Sequence, residues 1–98
     1  MEPSFRGMIE KDIDNLLAEE LDDLKEVYAK HIQENFIVKS VEDVLFGWML
    51  GMVHSDVDNW FLAKFHRNPT AEEIKEFWEI IVRRGPEIQT KVKLTLST

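Results

Sequence analysis

The chain of 98 residues contains no cysteine, which excludes disulfide scaffolds, thiolate zinc sites and cysteine nucleophiles together. Glycine is scarce and scattered, at positions 7, 47, 51 and 85, so no glycine-rich loop is present to cradle a phosphate. Long apolar runs are missing as well. The longest uncharged stretch covers residues 44–55 and includes a histidine and a serine; those twelve positions fall short of the roughly twenty that a membrane span needs. The opening Met1-Glu2-Pro3-Ser4-Phe5-Arg6 carries no apolar core, so no secretory signal is expected and the expected location is cytoplasmic. Positive charge is the last scarcity: 12 basic side chains stand against 19 acidic ones, a net charge of −7. Affinity for nucleic acid rests on neutralising phosphates with Lys and Arg, and nucleic acid is therefore a disfavoured partner.

What is present is an ordinary globular composition, 44% hydrophobic and 32% charged, in a length that suits one domain. The charge is unevenly spread. Residues 1–46 hold 12 acids and 5 bases, whereas residues 47–98 hold 7 of each. Eight acids crowd into residues 10–26 alone. The molecule is acidic at one end and mildly basic towards its tail.

Apolar periodicity predicts helices throughout. Over residues 4–35, Ile9, Ile13, Leu17, Leu21, Leu24, Tyr28 and Ile32 recur at spacings of three and four, widened by Leu16 and Val27, as one helix face requires. Asp12, Asn15, Glu19, Asp22, Asp23, Glu26 and Lys30 fall opposite, as an acidic ridge. Unbroken, this helix would be about 48 Å long; a break is expected, if anywhere, near Asp14-Asn15, where both residues favour caps. A second helix over 41–66 starts behind Ser40 as N-cap, with Asp43 three residues on. Its first part is apolar nearly all round, which predicts the central, most buried helix. Ser55-Asp56-Val57-Asp58 could open a fresh helix near His54, but no glycine or proline marks the junction, which favours continuity. Asn68-Pro69 is a boundary, Thr70 and Glu73 form a capping box, and a helix over 71–84 follows, with Glu79 and Arg83 as an i,i+4 pair. Gly85-Pro86 should stop it. The tail, 86–98, reads as extended, from the alternation of Val92, Leu94 and Leu96, or weakly helical, from Ile88, Val92 and Leu96 on one face. The expected fold is an all-α single-domain bundle of three to five helices with that tail.

Candidate sites are few. The residues three before His31, His54 and His66 are Tyr28, Gly51 and Ala63, so the Glu-x-x-His pairs of di-metal bundles are absent. His54 and Asp58 share a helix face, and Glu20 and His31 project from the apolar stripe of the first helix. If the first two helices pack antiparallel, these four could hold a divalent metal, although partnered polar groups are the commoner explanation. Gly47 and Gly51, one turn apart, predict a tight helix crossing within the domain. Trp48, Trp60 and Trp78 could line a hydrophobic ligand pocket or simply fill a core. The run Lys64-Phe65-His66-Arg67 and the pair Arg83-Arg84 suit helix C-termini better than phosphates.

No residue set supports catalysis, and no cofactor is expected. The reading that fits best is a small acidic protein–protein interaction module, an adaptor or a homodimer. Its expected partner surfaces are Gly47 and Gly51 and the ridge Glu19, Asp22, Asp23 and Glu26, which would steer a basic protein. A metal- or small-ligand-binding helical protein is the alternative.

Overall fold

The computed structural model describes residues 3–19 and 21–97. Four α-helices carry the chain: α1 (Pro3–Ala18), α2 (Lys30–Asn35), α3 (Val41–Phe65) and α4 (Ala71–Ser97), with a π-helical segment, Leu24–Ala29, leading directly into α2. Among the described residues there is no strand, and the all-α bundle is the observed fold. The molecule measures 41 × 24 × 20 Å. Its long axis is the length of α4, about 40 Å at 1.5 Å per residue.

The predicted 4–35 helix does break, later than Asp14-Asn15. α1 ends at Ala18, and the Glu19 N–H is shared between the carbonyls of Asn15 (3.2 Å) and Leu16 (3.3 Å). The sequence places acids at 19, 20, 22 and 23. They are unfavourable at the negative end of one helix and favourable at the positive start of the next, so the chain restarts there. The restart is π-helical, and this changes which side chains face inward. Hydrogen bonding from i to i+5 sets Leu24 and Ala29 on the buried side, while Val27 and Tyr28, expected in the stripe, are exposed.

α3 is continuous through His54. Ser40 caps it by accepting the Asp43 N–H at 3.1 Å. At its other end His66 takes up the left-handed conformation (φ 55°) and donates its N–H to the Leu62 carbonyl, the αL way of closing a helix. Leu45, Met49, Val53, Val57 and Phe61 are its buried residues. α3 is not the enclosed central helix that its apolar composition predicts. Among the described residues α1, α4 and the π-helical segment are what packs closely on it, and these cover one side of a helix this long. α4 packs closely on both α1 and α3.

The capping box of α4 forms in full, with Thr70 N–H on Glu73 Oε1 (2.8 Å) and Glu73 N–H on Thr70 Oγ1 (3.2 Å). The helix then continues past Gly85-Pro86, which do not stop it. Of the two courses expected for the tail, the structure takes the helical one, with Ile88, Val92 and Leu96 on one face, and not the extended one. Proline removes one hydrogen bond, to the Val82 carbonyl, and crowds that group, at a cost of about 3 kcal/mol. Beyond it, Ile88 and Val92 are buried and Leu96 packs at the core's edge; each fully buried aliphatic side chain contributes about 1.5–3 kcal/mol, which outweighs the proline. In the last turns Thr95 Oγ1 donates to the Lys91 carbonyl at 2.8 Å, and the Ser97 hydroxyl donates to that of Lys93.

The core is one cluster: Phe5, Ile9, Ile13 and Leu16 of α1 meet the α3 residues and Phe77, Ile80, Ile81, Ile88 and Val92 of α4. α1 and α4 are also laced by charge. Arg6 reaches Glu76 and Glu79, each at 3.4 Å, and Arg83 reaches Glu10, so the expected Glu79–Arg83 pair is exchanged for contacts between helices. Arg84, with only 12% of its side chain exposed, bonds Asp14 at 2.8 Å and clasps Glu87 with two nitrogens.

Candidate functional site

A helix of 25 residues packed from one side must show its other side to solvent, and what α3 shows is unusual in chemistry. Gly47, Gly51 and Ser55, spaced by four, lie in a line, and all three are exposed. A methyl group placed on Gly47 or Gly51 would meet nothing within 4 Å. The predicted crossing within the domain is therefore not there: the two glycines leave a bare, open stretch of helix surface instead. Val44 and Leu62 lie along the same row before and after it and Trp48 stands to one side, each between 41% and 46% exposed. No charged side chain occurs between Asp43 and Asp56 on this helix.

The apolar surface continues on both sides. Tyr28, turned outward by the π-helical segment, sets its ring edge-on to Trp48 with centroids 4.5 Å apart, which stiffens the indole in place. On α4, the Phe77 ring stands at right angles to that of His54 with centroids 5.3 Å apart, and the next residue, Trp78, is exposed, as is Val82 at 75%. Phe36, Ile37 and Val38, between α2 and α3, are exposed as well, Ile37 completely. Large apolar side chains exposed in this way make this side of the molecule the candidate interaction surface.

The remaining candidates are placed as follows. His54 Nδ1 and Asp58 Oδ2 are 3.3 Å apart, both about 40% exposed. His31 Nδ1 bonds the Val27 carbonyl of the π-helical segment one turn before it, at 2.7 Å, and Glu20 lies outside the described residues. Among the described residues no three metal-ligating side chains converge. The three tryptophans are not brought together. Trp48 and Trp60 stand on one continuous helix, about 18 Å apart along its axis; Trp60 packs on Phe5, Phe61 and Phe65, and Trp78 packs on Phe77. Glu19, Asp22, Asp23 and Glu26 are all exposed, as the ridge requires.

The basic run at the end of α3 is committed to local contacts. Lys64 Nζ sits 4.9 Å over the Trp60 ring, and the Arg67 guanidinium lies 5.0 Å from the Phe61 ring while gripping Glu73 at 2.8 and 3.1 Å. That grip, with the Thr70 bonds, holds the Glu73 carboxyl down to about 2.

Sequence reasoning missed one group. Asp12 belongs to the solvent ridge by its helical phase, yet its carboxyl turns into the seam between α1 and α3. There it shares a cavity of about 80 Å³ with Asn15, Leu16, Glu19, Met52, Val53 and Asp56. Burial first, then a bond with Asp56 and its charge, then the charge of Glu19, push the Asp12 carboxyl up to about 7. The signal was its position: one residue before Ile13 and four before Leu16, both buried, it sits at the edge of the apolar stripe. The chain matches no family model, no curated protein and no solved structure.

Proposed function

We propose that this protein is a small helical protein–protein interaction module that pairs with a second copy of itself through the outer face of α3. The observation that carries this reading is the bare, open surface at Gly47 and Gly51 together with the exposed Val44, Trp48 and Leu62 on the same side of α3. Glycines exposed in mid-helix cost about 1 kcal/mol each against alanine, and close approach of another helix is what offsets that cost. Charge favours a second copy as the occupant. Two chains that each carry −7 repel wherever their acidic surfaces meet, and residues 44–55 supply the long uncharged strip on which they can touch. The face also suits two-fold pairing, because it carries both a projection, Trp48, and a recess, Gly51. A standard interface covers about 800 Å² of each partner, about one eighth of the 6431 Å² surface; the strip together with Trp78 and Val82 offers apolar surface for it. The ridge Glu19, Asp22, Asp23 and Glu26 stays free in this arrangement to steer a basic partner.

The test is light scattering on a sizing column across a hundredfold range of concentration, for the natural chain and for Gly51→Leu. The natural chain should run as a dimer and the variant as a monomer with unchanged far-UV circular dichroism, since the added side chain has open space within one copy. A natural chain that stays monomeric at millimolar concentration overturns the reading, as does a Gly51→Leu variant that remains dimeric.

A further inference from the structure

The seam between α1 and α3 holds a feature that the interaction surface does not use. Asp12 Oδ2 is closed off from solvent and meets no donor from the rest of the described residues; two ionised carboxylates only accept, so the bond with Asp56 requires that one of the pair carry a proton. An oxygen in that position is a poor place for a negative charge and a good one for a proton. The groups around it agree. From α3 the only charged side chain lining the cavity is Asp56, between the apolar Met52 and Val53; from the end of α1 comes Glu19, with the neutral Asn15 between. On the outward side Lys11 shares a shallow surface hollow with Asp12 and Asn15. The guanidinium groups of α4 are engaged elsewhere, Arg83 with Glu10, and Arg84 with Glu10, Asp14 and Glu87. Among the described residues no cationic side chain pairs with Asp12, so its carboxyl faces two other acids across a small cavity without compensation.

We infer that Asp12 and Asp56 form a proton-dependent latch, which holds α1 against α3 while the pair keeps one proton between its two carboxyls and loosens α1 when that proton is lost. The direction follows from linkage. A carboxyl held protonated in the folded state but ionised in the unfolded chain above about pH 4 favours the folded state at low pH. That contribution declines as pH rises and is gone once the folded group has also ionised. For Asp12 the decline ends near neutrality, because its carboxyl is pushed up to about 7. Past that point two negative charges share the seam. What loosens is defined by the core: Phe5, Ile9, Ile13 and Leu16 are the α1 side chains that the latch keeps covered.

The test is native-state amide exchange, with protection factors compared at pH 6 and pH 8 for the natural chain and Asp12→Asn. In the natural chain, protection at Ile9, Ile13 and Leu16 should fall about tenfold relative to that at Ile80 and Ile88 of α4. Asp12→Asn, which keeps the shape without the charge, should show no such differential fall. A carbon-13 titration of the Asp12 carboxyl in the natural chain gives a readout that needs no variant, with a midpoint expected within one unit of pH 7. An Asp12 midpoint near 4 overturns the latch. So does an equal fall of protection in α1 and α4, or the same differential fall in Asp12→Asn.

Discussion

The course of the chain beyond Pro86 can be decided by three substitutions. If residues 86–97 are the second half of α4, then Ile88 and Val92, at 1% and 0% exposure, face the core, whereas Leu94, at 60%, faces water. Truncating Ile88 to alanine removes three carbons, about 2.4 kcal/mol at roughly 0.8 kcal/mol each, and the cavity left behind raises the loss to about 3 kcal/mol. Val92→Ala removes two carbons and should cost about 2 kcal/mol on the same arithmetic. Leu94→Ala should fall within about 0.5 kcal/mol of the natural chain. In a domain of this size 1 kcal/mol moves the melting temperature by about 4–8 °C, so Ile88→Ala should melt on the order of 15 °C early. Urea unfolding followed by far-UV circular dichroism measures all three, with the slope of the transition as a check that the unfolded state has not changed. An extended tail alternating from Val92 through Leu94 to Leu96 gives another ordering, because Leu94 then matters as much as Val92. Equal midpoints for Leu94→Ala and Val92→Ala would refute the helical assignment and the balance of burial against proline behind it.

Three further outcomes test the polar framework. Arg84→Met should lower stability by about 2 kcal/mol, since it leaves Asp14 and Glu87 without their shielded partner; urea titration at low and high salt checks this, and the loss should persist in salt because the guanidinium is largely covered. Thr70→Ala should cost about 1 kcal/mol through the lost cap. At the same site Glu73, held down to about 2 in the folded chain, stabilises the fold above its ordinary pKa near 4.5, and this contribution disappears as pH falls towards 2. Acid unfolding of Arg67→Gln should accordingly show a smaller loss over that range than the natural chain.

Local chemistry made part of this fold legible. The Ser40 cap and the Thr70–Glu73 box each depend on residues within a turn of one another, and both are found as read. The failures share a cause in packing between distant residues. Pro86 reads as a stop because its penalty is local, whereas the burial of Ile88 and Val92 that overrides it comes from the rest of the bundle. The glycines of α3 read as an internal crossing because spacing does not tell which side of a helix its neighbours occupy. Asp12 reads as solvent-facing because helical phase alone puts it on the ridge, a fraction of a turn from the seam where it lies.

The π-helical segment also bears on which changes in chain length the fold can accept. Its buried pair, Leu24 and Ala29, is five residues apart, a separation that an ordinary α-helix would spread over a third of its circumference or more. Deleting any one residue between them would let the segment close into regular helix and restore the common repeat. That shorter chain would have better local geometry and a worse fit. With each residue turning an α-helix by about 100°, α1 and α2 could no longer both keep their present faces inward, and Tyr28 would swing away from Trp48. Insertions and deletions are usually best accepted in loops, and the 19–23 break beside this segment looks like such a place. The bundle instead depends on an exact residue count here, so changes in length should be accepted more readily at 36–39 or 66–69, where the chain already leaves the helices.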